Sequence, residues 1–211
     1  MMTVTEPVTV LTDYVLAAAN AVFGIRLLLD AGPSGQRCVQ LWSAAFFATS
    51  AAAMLGGTYH GLAHNLPPWA AVSIWRATLY SVGLAGLLML AGEIRATSIR
   101  PWRECFWVIA IVKFMVFAFW MLTHDRFLYV ILDYLPSMLA VLSLAIYDRI
   151  RRRSDASPWL IGGIAVSILA AALQAWEVRP HRHFNHNDLY HVIQTGASWL
   201  FYRGARRLMD R

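Results

Sequence analysis

The sequence predicts an all-α polytopic membrane protein, a single domain over residues 1–211 with seven transmembrane helices, N-terminus outside and C-terminus inside. Three observations carry that expectation. Of the 211 residues, 58% are hydrophobic and only 14% are charged, whereas a soluble domain carries about a quarter charged. Apolar runs of about twenty residues recur from end to end, the length needed to cross the hydrocarbon of a bilayer. The arginines fall almost entirely on one side of those runs.

The spans read as about 9–29, 39–62, 69–92, 105–123, 127–147, 158–177 and 187–204, each closed by a turn or charge signal. The breaks are "DAGPSGQR", "AHNLPP", "EIRATSIRPWRE", "HDR", "DRIRRRSDASP" and "EVRPHRHFNH". With the N-terminus outside, thirteen arginines lie on the inner side, against Arg126, Arg179 and Arg182 on the outer side. Positive charge left in the cytoplasm sets orientation in this way. Trp42, Trp69, Trp102, Trp159 and Trp176 fall near span ends, where an aromatic belt belongs. "MMTVTEPVTVLTDY" has no basic n-region, so no cleaved signal is expected. Cys38 and Cys105 both fall at inner helix starts, where a structural disulfide is not expected. The net charge of +6 follows from topology, and no nucleic-acid partner is expected. The expected location is a bacterial inner (plasma) membrane, with membrane lipid as neighbour and lipid-like substrate.

Depth then sorts the polar residues. Asp13, His60, His64, Arg76, Asp133, Glu177, Asp188 and His191 all fall toward the outer ends of their spans. Residues three, four or seven apart share a helix face. This pairs Asp13 with Asn20, His60 with His64, Arg76 with Tyr80, Asp133 with Ser137, and Gln174 with Glu177. On the last helix Asp188, His191, Thr195, Ser198 and Tyr202 form one stripe. Ionisable groups within a bilayer face a bundle interior or a wet cavity. One extracytoplasmic pocket is therefore expected, walled by helices 1, 2, 3, 5, 6 and 7, with Tyr80, Asn187 and Gln194 among its lining. Gly56, Gly57 and Gly61 let helix 2 approach a neighbour closely. Lys113, alone in helix 4, reads first as half of an interhelical ion pair.

The candidate chemistry is a metal site. "HGLAH" puts His60 and His64 one turn apart, a spacing that suits two ligands of one Zn²⁺, and Asp188 and His191 offer two more donors. His186 either caps helix 7 or supplies a further ligand. Asn185 or Asn187 reads as a helix cap. Asp13 and Asp133 are the candidate catalytic carboxylates, as base or as ligand orienters, and Glu177 is a third choice. Arg76 either binds an anionic group or pairs with Asp13, Asp133 or Glu177, the pairing being favoured. His181 and His183 read as solvated loop residues. There is no G-x-S-x-G elbow, P-loop, G-x-G-x-x-G or CxxC.

With "GGTYHGLAH" closing helix 2 and "NDLYHVIQTGASWLFYRGA" as helix 7, the chain resembles the CREST superfamily of seven-helix membrane proteins. That superfamily includes alkaline ceramidases, progestin/adipoQ-type receptors and the Per1 family. The resemblance implies a zinc-dependent hydrolase of lipid amides or esters. It implies one zinc histidine late in helix 2, matched by His60 or else His64. It implies an HxxxH opening helix 7, whose second position is His191 and whose first falls on Asn187, flanked by His186 and Asp188. The family's helix-2 serine position holds Gly56. Its helix-3 aspartate has no counterpart, since no acid lies between Asp30 and Glu93, and Asp13, Asp133 or Asp188 would stand in. The alternatives are a small-molecule receptor or transport-type protein using the same pocket, a catalytically inactive relative, and an assembly subunit whose polar cluster only locks packing.

Overall fold

Proline opens three of the helices, where its missing N–H has no helical partner to lose. The computed structural model describes residues 3–31 and 35–211, so 32–34 in the first break lie outside the described residues. Among the described residues the chain forms seven α-helices and no strand. They are α1 (Pro7–Ala31), α2 (Arg37–Leu62, followed by a single 3₁₀ turn at Ala63–Asn65), α3 (Pro68–Thr97), α4 (Trp102–Trp120), α5 (Phe127–Arg152), α6 (Ser157–Ala175) and α7 (His186–Ala205). The predicted spans stop short of the helix ends at Glu93 and Asp148. The chain does not. Both carboxylates are buried within helices that continue to Thr97 and Arg152. Bilayer thickness limits a span, whereas a helix continues for as long as its backbone bonds and packing support it.

Five helices, α1, α2, α3, α5 and α6, are long and apolar enough to cross a membrane. The other two miss that standard on polarity. α4 carries Arg103, Glu104 and Lys113, and α7 carries the stripe that runs from Asp188 to Ser198.

Packing closes a ring in the order α1, α2, α3, α5, α6, α7 and back to α1. α4 lies outside it, against α3 and the edge of α5, with only Ala110 and Phe117 buried. We call the end of the bundle that carries Thr3 the upper end. There Thr5 N donates to Gly61 O (3.2 Å) and Trp75 Nε1 to Asp125 O (2.8 Å). At the lower end Arg152 donates to Thr97 O (2.8 Å), and Arg206 pairs with Asp30 (2.7 Å).

α1 and α7 run parallel in constant register. Thr9 meets Asp188, Thr12 meets His191, and Phe23 stacks on Tyr202 with centroids 5.0 Å apart. Phe23 also packs edge-on against Phe46 (5.8 Å), while Trp42 contacts Phe46 (6.4 Å) and Phe201 (5.7 Å). These rings fill the interior below the polar level. Trp42 is therefore a fully buried core residue rather than a member of an interfacial belt; Trp69, Trp102 and Trp176 are exposed, as a belt requires. Lipid tails are as apolar as leucine, so dispersion and shape hold these faces together more than water exclusion does. Polar ties add to this: Ser43 Oγ donates to Gly24 O (2.7 Å) and Ser50 Oγ to Ala17 O (2.8 Å), both joining α2 to α1.

The upper part of α2 presses on α1 through two glycines. A Cβ at Gly57 would stand 2.8 Å from Asp13 Cβ, and one at Gly61 would stand 2.6 Å from Val10 Cγ2. Gly57→Leu is expected to separate α1 from α2 at a cost of about 1–3 kcal/mol or more. Gly196→Ala, which meets nothing within 4 Å, is expected to be neutral or to stabilise by up to about 1 kcal/mol. Denaturation midpoints in detergent check both.

α4 is tied to the ring by charge. Lys113 Nζ donates to the Asp133 carboxylate and to Asp133 O (2.9 Å), and the carboxylate is almost fully buried. Breaking one member strands a buried charge, while removing both leaves none. Asp133→Ala is thus expected to destabilise by about 3 kcal/mol or more. The double variant Lys113→Met/Asp133→Leu is expected to recover most of that loss. A double-mutant cycle of unfolding midpoints measures it.

Candidate functional site

The site begins with two helices that carry the same polar spacing. On α1, Thr9, Thr12 and Asp13 lie within one turn, and on α7, Asp188 and His191 do. The constant register of the two helices brings them level. Thr9 Oγ1 donates to Asp188 Oδ1 (2.8 Å). His191 Nε2 lies 3.2 Å from Asp13 Oδ1, and its Nδ1 lies 3.2 Å from Thr12 Oγ1. Asp13, Asp188 and His191 are all buried.

α7 starts where it does because of a capping box. The Asn185 side chain accepts from Asn187 N (2.7 Å) and Asp188 N (3.2 Å), and Asp188 Oδ2 accepts from Asn185 N (2.7 Å). Such a box satisfies orphan donors at both ends of the first turn. Asp188 is thereby committed on both oxygens, one to α1 and one to the cap. Asn185 is the capping residue, and Asn187 instead accepts from Gln174 Nε2 (2.9 Å), tying α7 to α6.

Above this level the segment Thr3–Glu6 lies across the end of α2. Thr5 Oγ1 donates to His60 O (2.6 Å), Thr3 Oγ1 contacts His64 Nε2 (3.1 Å), and Asn65 Nδ2 donates to Thr3 O (2.7 Å). His60 Nδ1 lies 3.8 Å from Glu6 Oε2. The exposed His64 binds the N-terminal segment. Thr78 of α3 and Gly56 complete the wall: a Cβ built on Gly56 would sit 3.6 Å from Thr78 Cγ2 and 4.0 Å from Asp13 Oδ1. Tyr190 lies beside the dyad, its ring 5.6 Å from that of His191.

Other predicted residues lie elsewhere. Asp133 is paired with Lys113 and faces α4, and no contact joins it to Asp13 or His191 among the described residues. Tyr80 donates to Ala118 O of α4 (3.0 Å), outside the ring interior. Arg76 has none of the three partners expected for it: Asp13 contacts His191, Asp133 pairs with Lys113, and Glu177 with Arg179 (3.1 Å). Its Nε is buried without a partner. Glu177 is exposed in a left-handed turn (φ 51°) that ends α6, away from the dyad. Gln194 lies one turn below His191, buried, with Oε1 unpartnered; Asp13 Oδ2 and His186 Nδ1 are likewise buried and free. Thr9, Thr12, Thr78 and Glu6 are members that sequence reasoning missed. The signal for the threonines was present in the matching three-residue spacing of Thr9–Thr12 and Asp188–His191.

The zinc ion implied by the resemblance needs at least three donors around one point. Among the described residues no three His, Cys, Asp or Glu side chains gather in that way. Both nitrogens of His191 and both oxygens of Asp188 are engaged, and His64 is turned to Thr3. As placed, these donors do not fit a zinc ion.

What the arrangement can do is move a proton. When Asp13 is a carboxylate, His191 carries its proton on Nε2 and its Nδ1 accepts from a hydroxyl. When the pair takes up one proton, Asp13 holds it toward Nε2. The ring then carries its own proton on Nδ1 and donates to Thr12 Oγ1, whose hydroxyl turns to Thr9 O (3.0 Å). A carboxylate that fixes the imidazole tautomer while the other nitrogen meets a hydroxyl is the working part of an acid–base site.

No curated protein and no solved structure matches the chain. A family model matches residues 8–210, which spans all seven helices, and the chain belongs to that family, the family of unknown function DUF6962.

Proposed function

We propose that this chain is an integral membrane hydrolase of lipid esters or amides, acting by acid–base catalysis at the Asp13–His191 dyad. The observation that carries the reading is the dyad itself: a buried carboxylate and imidazole 3.2 Å apart on facing helices, with a hydroxyl 3.2 Å from the other ring nitrogen. Thr12 Oγ1 covers His191 Nδ1 (3.2 Å), and a rotation of the Thr12 side chain admits a water oxygen to that nitrogen. As that oxygen attacks a carbonyl carbon, its proton passes to His191 Nδ1. The same proton then goes to the leaving nitrogen or oxygen as the acyl bond breaks. Asp13 holds the ring in the tautomer that can accept it. Asp13 Oδ2 and Gln194 Oε1, two buried acceptors without partners, suit a substrate that brings donors, an amide N–H or a hydroxyl. The aromatic packing of Phe23, Phe46, Trp42 and Phe201 below the dyad argues for a pocket over a through-channel. The likeness to the CREST superfamily supports the same reaction class, by a route that uses this chain's own dyad.

In this reading all seven helices cross the membrane. α4 and α7, with 19 and 20 residues, extend about 1.5 Å per residue and so reach across the hydrocarbon. Lys113 is neutralised by Asp133, and the polar stripe of α7 faces the ring interior. The arginine bias supports an N-terminus and dyad on the extracytoplasmic side, and the membrane in this reading is a bacterial inner membrane.

The test is hydrolysis of a panel of lipid amides and esters by the full chain in nanodiscs, with products identified by mass spectrometry. Wild type is expected to cleave at least one class. His191→Ala and the near-isosteric Asp13→Asn are expected to lose about a hundredfold or more, with folding checked by melting midpoint. Turnover that persists in His191→Ala would sink the reading. So would about one zinc per chain in tag-free protein, lost in both His60→Ala and His191→Ala, which would restore a metal mechanism.

A further inference from the structure

A second concave site lies at the lower end, on the far side of the bundle from the dyad. It is a groove of about 580 Å³ between the start of α2, the end of α3 and the start of α4. Four arginines line it: Arg37, Arg95, Arg100 and Arg103. Its apolar wall is Leu41, Trp107 and Val108. The first turn of α4 borders the groove, with its Arg103 and Glu104 N–H groups already given to Ile99 O (3.0 Å) and Pro101 O (3.1 Å).

The charges there do not cancel. Arg100 pairs with Glu104 (3.0 Å) on an exposed surface. Arg95 Nη2 contacts Asp210 Oδ2 (3.2 Å), and its Nε is buried without a partner. Arg103 donates to the main-chain oxygen of Arg211. The Arg37 guanidinium has no partner among the described residues; only its backbone N–H is used, on Asp210 (3.0 Å). Glu104, Asp210 and the Arg211 main-chain oxygen thus engage three of the four guanidiniums, and Arg37 is left over. Asp210 has no capacity to spare, since it also accepts from Cys38 N (2.8 Å). Burial favours its neutral form, but the N–H donors of Cys38 and Arg37, the Cys38 thiol and the Arg95 guanidinium outweigh that and hold its carboxyl below the usual range.

Other arginines of this end, such as Arg151, project from exposed helix ends, as topology alone requires. These four converge on one concavity with an apolar flank. Guanidinium forks match phosphate oxygens in geometry and charge.

We infer that this groove binds a phosphate-bearing anion, with the free Arg37 guanidinium and the Arg95 Nε–H as its donors. A lipid headgroup or a soluble phosphate ester would offer the same chemistry. The Leu41–Trp107–Val108 wall suits an acyl chain.

The test uses the full chain in phosphatidylcholine nanodiscs with and without phosphatidic acid, and separately with inorganic phosphate and glycerol phosphate. Native mass spectrometry counts retained lipid, and the melting midpoint reports binding. Phosphatidic acid is expected to be retained and to raise the midpoint. Arg37→Gln, which breaks no internal contact, is expected to weaken binding about tenfold, and Gln40→Glu is expected to weaken it as well. Arg151→Gln, an equal charge change at the same end, should leave it intact. A shift with inorganic phosphate that depends on Arg37 would uphold the site and assign it a soluble ligand. Equal loss in Arg37→Gln and Arg151→Gln, or no binding of any of these anions, would overturn it.

Discussion

The parallel pairing of α1 with α7 is the contact on which the rest depends. Burying Asp13, Asp188 and His191 away from water carries a heavy cost unless each finds a partner. The partners that join the two helices meet only because their register holds constant from Thr9 to Phe23. A slip of one residue would turn Asp13 away from His191 and leave Asp188 facing an apolar position. The glycines of α2 serve the same contact from behind. Gly57 lets α1 lie close enough that Asp13 is fixed from both sides. The capping box at Asn185 sets where α7 begins, and so sets its register against α1.

The interior divides into two levels that do different work. The upper one holds the dyad and its unpartnered acceptors. The lower one is filled by aromatic rings of α1, α2 and α7. A path for ions would need polar groups to continue through that packing, and Phe23, Phe46, Trp42 and Phe201 interrupt it. The polar end is therefore closed below by packed rings.

Much of this was legible in the sequence. Seven helices, the upper polar level, the glycine approach of α2 and the Lys113 ion pair follow from apolar run length, helical spacing and the cost of a lone charge in hydrocarbon. What was not legible is which polar residues share a partner. Asp13 and Asp133 look alike in sequence, each an acid a short way into an apolar helix. Only the ring order, which leaves α4 outside, gives Asp133 a lysine and Asp13 a histidine. Asp188 read as a ligand because its type suits one, yet the local demand of a helix start takes one of its oxygens. Helix ends were misjudged where a charge was read as a stop, as at Glu93 and Asp148, because burial among neighbours is invisible to a hydropathy pattern.

The pairing of the first helix with the last also bears on how the protein is made. α1 leaves the ribosome long before α7, with its Thr9, Thr12 and Asp13 face lacking the partners it will keep. α7 is too polar to be drawn into lipid by its own composition, and α1 supplies the surface that receives it. Docking of the final helix and completion of the dyad are thus one event. A chain truncated before Asp188 would leave Asp13 packed against Gly57 without the histidine it meets.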